Sequence, residues 1–163
     1  IPLYRQEGEL QAHREKMAYA ALLSGITLAQ VGLGSVHGLA SPLGAFFPIP
    51  HGVVCGTLVA SATRINIHSM SAREPNNTAL AKYWRATEIL CQRRFIDPQV
   101  AFNKLIDLLA QWTNELALPR LSHYGLQETA LDKVIAHCRG SSMKTNPIVL
   151  TDEEIRQVLL ERL

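Results

Sequence analysis

Apolar positions near the start of the chain change their pattern partway along. Around Glu9, His13, Arg14, Glu15 and Lys16 charges dominate, and Leu10, Met17, Ala21, Ser24 and Leu28 recur on one face at helical spacing. From Ala18 to Val36 the polar residues are only Ser24, Thr27, Gln30 and Ser35, with glycines at 25, 32 and 34. The pattern predicts one helix from about Glu9 to Val31. Its second half is apolar all round, which predicts a helix buried at the centre of a core. Gly32 and Gly34 end it. A short helix or turn follows from about Val36 to Ala45. Pro48-Ile49-Pro50 is extended, because residues before proline are pushed out of the α region. His51 then opens a second buried helix to about Ile67, with Arg64 among its few charges.

The remainder alternates in ordinary amphipathic helices. Asn77 or Thr78 caps one that reaches about Cys91, with Leu80, Trp84, Thr87 and Cys91 inward. Asp97-Pro98 is an N-cap followed by a proline at the first helical position. There Ala101, Leu105, Leu108, Trp112 and Leu116 form the stripe, and Pro119 stops it. Leu131, Val134, Ile135 and Cys138 mark a helix closed by Gly140. Thr151 with Glu154 is a capping box for a last helix bearing Ile155, Val158 and Leu159. No alternating strand pattern and no repeat interrupts this order. The expected fold class is all-α, a single helical domain over residues 1–163.

Composition narrows the functions open to such a domain. Of 163 residues, 47% are hydrophobic and 18% charged, which opposes disorder. A net charge of +2, with both signs mixed along the chain, provides no nucleic-acid patch. The Ala18–Val36 run is too polar for a membrane span. Cys55, Cys91 and Cys138 are odd in number and widely spaced, the usage of a reducing cytosol rather than a disulfide framework. The first residue is Ile1, and no signal or transit peptide follows. The expectation is the C-terminal part of a longer protein.

The candidate chemistry lies between residues 32 and 52. His37 and His51 are separated by thirteen residues among glycines, prolines and apolar side chains. The lack of charge predicts that the stretch is internal, and a buried imidazole needs a partner. A shared metal ion satisfies both rings, and glycines beside each histidine let backbone and substrate come close. Two histidines do not complete a catalytic site, which takes three or four protein ligands. On spacing alone, two satisfied core histidines remain the plainer reading. Ser35 and Ser41 flank His37 without a nucleophile elbow, and Gly32-Leu33-Gly34 follows a helix without the third glycine of a dinucleotide loop. His13 falls on a solvated face, and His68, His123 and His137 at helix ends or surface turns. Cys55 and Cys138 are expected to pack as small hydrophobes, Asp97, Asp152 and Glu154 to cap helices, and Trp84 and Trp112 to sit in the core.

The stretch Gly32-Leu33-Gly34, His37-Gly38, Leu43-Gly44 and Pro50-His51-Gly52 resembles the C-terminal domain of the iron-containing (group III) alcohol dehydrogenases, in the dehydroquinate synthase-like superfamily. Arg14-Glu15-Lys16-Met17 and the ending Asn146-Pro147 with Thr151 to Ile155 extend the likeness over essentially the whole chain. The resemblance implies a helical bundle domain paired with an N-terminal nucleotide-binding domain, absent from this chain, that holds NAD or NADP. It also implies a divalent metal in the cleft between them, Fe2+ first and Zn2+ second. The family's metal has an Asp and three His as ligands. The first two, an Asp-x-x-x-His pair, have no counterpart in these residues, and His37 and His51 match the last two.

The implied reaction is hydride transfer between a small alcohol or aldehyde and the nicotinamide, with the metal as Lewis acid on the substrate oxygen. Many members place a further histidine four residues after the third ligand; Ser41 stands there, which puts that residue's proton-relay role in doubt. Leu28 and Phe47 are candidates for pocket lining or plain core. No residue of the chain is assigned as catalytic, and the isolated chain is expected to be inactive. A cytoplasmic homo-oligomer is implied. The alternatives are a glycerol or other polyol dehydrogenase, a maleylacetate reductase, a hydroxyacid–oxoacid transhydrogenase, or a non-catalytic helical interaction domain.

Overall fold

A computed structural model describes residues 5–6 and 9–163. Among them are eight α-helices, two short 3-10 turns (Leu121–Tyr124 and Glu128–Ala130) and no strand. The helices are α1 (Leu10–Gln30), α2 (Ser35–Phe46), α3 (His51–Arg73), α4 (Thr78–Cys91), α5 (Pro98–Glu115), α6 (Leu131–His137), α7 (Ser141–Lys144) and α8 (Asp152–Leu160).

Local chemistry sets most of the ends. The Asn77 side chain accepts the Ala79 N–H, and the Asp97 side chain accepts the Gln99 N–H with Pro98 in the first turn. Thr151 and Glu154 form both halves of a capping box. Helix α5 stops before Pro119 is reached: Ala117 adopts a left-handed φ of 48° just past its last turn. Helix α3 runs to Arg73, past Ile67, because Ser69 and Met70 also find buried places. His68 therefore lies inside a helix, on its exposed side, and not at a helix end.

The central helix is α3. Val54, Leu58, Ile65 and Met70 share one core with Leu39 and Leu43 of α2, Leu131 and Val134 of α6, and Ile155, Val158 and Leu159 of α8. Each such side chain contributes about 1.5–3 kcal/mol when fully removed from water. A second, smaller cluster seats Phe102 and Leu105 of α5 on Ile67, with Leu80, Tyr83 and Trp84 of α4 half-buried beside it. Trp84 and Trp112 border the core rather than fill it.

Helix α1 corrects the expectation of a buried central helix. None of its residues is buried, and Tyr19, Leu22, Ile26 and Leu28 are each more than half exposed. Its apolar side chains point in all directions, so no single stripe can dock on the α2–α3 layer. Among the described residues, no single helix is long and apolar enough to cross a membrane. Helices α1 and α2 reach that length only together, and they meet at 95° with α2 built into the core.

Candidate metal centre

Helices α2 and α3 meet through an extended bend at Phe47–Pro50, and each presents a histidine from its first turn. His37 and His51 come to 5.3 Å between ring centroids, tilted by 53°. Cys55 lies one turn after His51 on the same face of α3. Its Sγ is 3.6 Å from His37 Nε2 and 3.5 Å from His51 Nε2. The three ligand atoms all lie within 4.8 Å of one another, and no carboxylate joins them among the described residues. Burial holds the His37 imidazole below its ordinary value, and the neighbouring His51 adds to the effect. Burial pushes the Cys55 thiol up.

The pair sits at the surface, not inside. His37 is half-buried and His51 exposed, and a Cβ at Gly52 would meet nothing within 4 Å. The core lies directly behind them, in Leu39, Leu43, Val54 and Leu58, all fully buried. The expectation of an internal stretch thus holds for its inward side, with Ser35, Leu39, Leu43 and Ile49 buried, and fails for the two imidazoles. Two helix starts aimed at an open face let the motif be apolar and still leave its imidazoles accessible.

Distant residues fix the start of α2. The Ser35 N–H donates to Asn146 Oδ1 at 3.0 Å, and Asn146 Nδ2 donates to Asn66 Oδ1 at 2.8 Å and to the Ile148 carbonyl at 2.8 Å. Asn66 Nδ2 in turn donates to Asn146 Oδ1 at 3.2 Å. One buried polar cluster thus ties α2, α3 and the 145–148 segment together. The glycines before His37 make room for that segment. A Cβ at Gly32 would come within 2.2 Å of the Thr145 side chain, and one at Gly34 within 3.1 Å of Asn146 Oδ1. Thr145 Oγ1 also donates to the Leu33 carbonyl at 2.7 Å.

The sequence over residues 2–163 matches the family described as Fe-containing alcohol dehydrogenase, C-terminal. The chain belongs to the iron-containing alcohol dehydrogenase family. It is 30% identical over 172 residues to the 1-propanol dehydrogenase PduQ of Salmonella typhimurium, covering 100% of this chain and 44% of that protein. It is 29% identical over 154 residues to alcohol dehydrogenase 4 of Schizosaccharomyces pombe, covering 93% of this chain and 33% of that one. A crystal structure of a 1,3-propanediol oxidoreductase superposes with a TM-score of 0.79 at 26% identity, over 96% of this chain and 39% of its own. The chain therefore spans less than half the length of these relatives. The all-α fold class is that of the C-terminal domain of the iron-containing alcohol dehydrogenases.

Against this family background the other candidate residues scatter. Ser41 is exposed, one helical turn beyond His37 on α2. Phe47 is half-buried and packs against the core beneath the bend. Leu28, on α1, is 51% exposed, so it is not a core residue among the described residues. Two further residues matter to the site's geometry. Asn146 stands in a motif that resembles the family's, yet only the fold reveals it as the anchor of α2. The expectation of a small packed hydrophobe holds for Cys138, at 1% exposure, and in part for Cys55, which packs half-buried against the core while its Sγ also faces both imidazoles. The His51–Cys55 spacing of four residues, once α3 is seen to start at His51, is the signal that could have found it.

Proposed function

We propose that this chain is the metal-holding, C-terminal helical half of an NAD(P)-linked alcohol dehydrogenase or aldehyde reductase acting on small alcohols. The observation that carries the reading is the approach of His37 and His51 from two facing helix starts. Family membership and relatives that act on propanol and propanediol support the substrate class. A divalent metal, Fe2+ foremost with Zn2+ as the alternative, supplies Lewis-acid polarisation of the substrate oxygen when bound. His37 and His51 hold it through Nε2 as neutral imidazoles, and the depressed basicity of His37 keeps that form available near neutral pH. NAD or NADP belongs to an N-terminal nucleotide-binding domain that precedes this segment in the whole protein.

This chain's residues place and orient rather than transfer the hydride. Helix-borne ligands backed by Leu39, Leu43, Val54 and Leu58 keep their geometry to within small displacements. The open face before Gly52 leaves room for substrate and nicotinamide. The whole protein is a cytosolic homo-oligomer on this reading, and the three free thiols of this chain agree with a reducing compartment.

Metal analysis of the full-length protein tests the assignment. His37→Ala is expected to abolish metal retention while far-UV circular dichroism stays that of the parent. Unchanged metal content removes His37 from the ligand set. The isolated chain is expected to show no NAD(P)H-coupled turnover of propanal, and measurable turnover refutes the division of labour.

A further inference from the structure

Beside the start of α2 a cleft of about 180 Å³ opens between Gly34, Ser35 and Val36, the Ala62–Asn66 turn of α3, Tyr83 of α4 and Asn146-Pro147. We infer that this cleft is a binding site for a small monocarboxylate anion, built from neutral hydrogen-bond donors. The site does not depend on a metal at His37 and His51. Thr63 carries the inference. It lines the cleft at 8% exposure, and its hydroxyl has no hydrogen-bond partner among the described residues. The other buried threonines differ. Thr57 Oγ1 donates to the Pro119 carbonyl at 3.0 Å, and Thr87 and Thr113 each donate at 2.9 Å to the carbonyl one turn earlier. A buried hydroxyl left without a partner is costly, so an absent acceptor is the simplest reason for it.

Three more residues of the lining hold unspent hydrogens. Asn66 Nδ2 donates to Ser35 Oγ at 3.5 Å and to Tyr83 Oη at 3.4 Å. Both hydroxyls are acceptors there, and neither gives its own proton to an acceptor among the described residues. In the first turn of α2, Asn146 Oδ1 takes the Ser35 N–H. Gly34 offers no side-chain cap, and the Val36 N–H has no partner among the described residues.

Three hydroxyls and one N–H without acceptors call for a ligand rich in acceptors. The start of a twelve-residue helix favours negative charge on it. No Lys, Arg or His is among the described residues that line the cleft. A single charge therefore suits it better than phosphate, whose usual partner is a cationic side chain. Val36, Ala62 and Pro147 offer apolar surface to a short alkyl chain. At about 30 Å³ for each water-sized group the cleft has room for roughly six, which suits an ion the size of propionate.

Thermal unfolding of the full-length protein in sodium propionate, against sodium chloride at equal ionic strength, tests the site. In the parent the midpoint should climb with propionate concentration, as for any ligand of the folded state. Thr63→Val and Tyr83→Phe should each need on the order of tenfold more propionate for the same rise, the cost of one hydrogen bond to a charged group. In chloride alone Thr63→Val should unfold no lower than the parent, because its hydroxyl gives up no bond. Sodium phosphate should produce no rise that Thr63→Val removes. A parent midpoint that ignores propionate overturns the site. So does a rise that Thr63→Val keeps in full, which would put the anion elsewhere in the protein. A Thr63→Val midpoint below the parent's in chloride overturns it too, since the hydroxyl would then already have a partner. A rise in phosphate that Thr63→Val abolishes overturns the choice of a monocarboxylate. Because the parent alone can refute the site, misfolding of a variant does not shelter it.

Discussion

At Glu154 several interactions meet on one carboxylate. Ser69 Oγ donates to Oε1 at 2.6 Å, the Thr151 N–H donates to Oε2 at 2.7 Å, and Arg73 Nη2 reaches both oxygens at 3.0 and 2.8 Å. Desolvation pushes this carboxyl up. The Ser69 and Thr151 hydrogen bonds and the Arg73 charge together outweigh it and hold the group below the ordinary carboxylate range. A group depressed in the folded state contributes stability that is fully present above its unfolded value, near 4.3, and is lost as pH falls through the folded value. Glu154→Gln keeps a side-chain acceptor for the capping box and loses the charge facing Arg73, so it is expected to cost at most about 1 kcal/mol at pH 7 and to flatten the loss of stability below about pH 4. Urea midpoints at pH 7 and pH 3.5 check both; an unchanged acid limb in the variant removes Glu154 as its source. The residues of this cluster are legible in part. Thr151 and Glu154 announce their capping box within four positions, but nothing local to either points to Ser69 or Arg73, 81 or more positions away from Glu154.

Helices divide here into those that close on neighbours and one that does not, and glycines report the difference. In α2, a Cβ at Gly38 would approach the Met143 side chain to 2.9 Å and the Cys138 carbonyl to 3.1 Å. The carbonyl is backbone and yields little, so Gly38→Ala should lower stability by about 1–3 kcal/mol and tilt His37, one residue before it. In α1, a Cβ at Gly25 would meet nothing within 4 Å. Gly25→Ala in this chain should therefore raise stability by up to about 1 kcal/mol through helix propensity alone. Equilibrium unfolding of the two variants side by side is the measurement. Equal effects would mean that α1 is packed as α2 is. The starts of α4, α5 and α8 follow closely from their caps and a proline, because those signals act within one turn. The expected burial of α1 fails because an all-round apolar helix says only that it needs cover on every side, not that this chain provides it.

Taken whole, the molecule exposes an unusual amount of apolar helix. Met17, Tyr19, Leu22, Ile26 and Leu28 of α1, and Val31 just past its end, are each more than half exposed. A surface of that kind is a site of association in a chain on its own. The isolated chain should self-associate with concentration, and Leu22→Lys with Ile26→Lys should return it to monomers; sedimentation velocity across a tenfold concentration range is the check. A parent chain that stays monomeric throughout would mean that α1 folds back over the α2–α3 face in solution. In a full-length protein, where the relatives are more than twice as long as this chain, the same two lysines should impair assembly or expression.

By itself the sequence determined the helical class, most helix ends and the two histidines as a matched pair. Caps, prolines and apolar periodicity are written within a few residues of where they act. Only the tertiary structure decided that α3 rather than α1 is the central helix, that the imidazoles face outward, that Asn146 holds the start of α2 from 111 residues away, and that Cys55 stands between His37 and His51. These are outcomes of which surfaces meet, and a surface finds its partner by shape and burial across the whole chain, which no local pattern encodes.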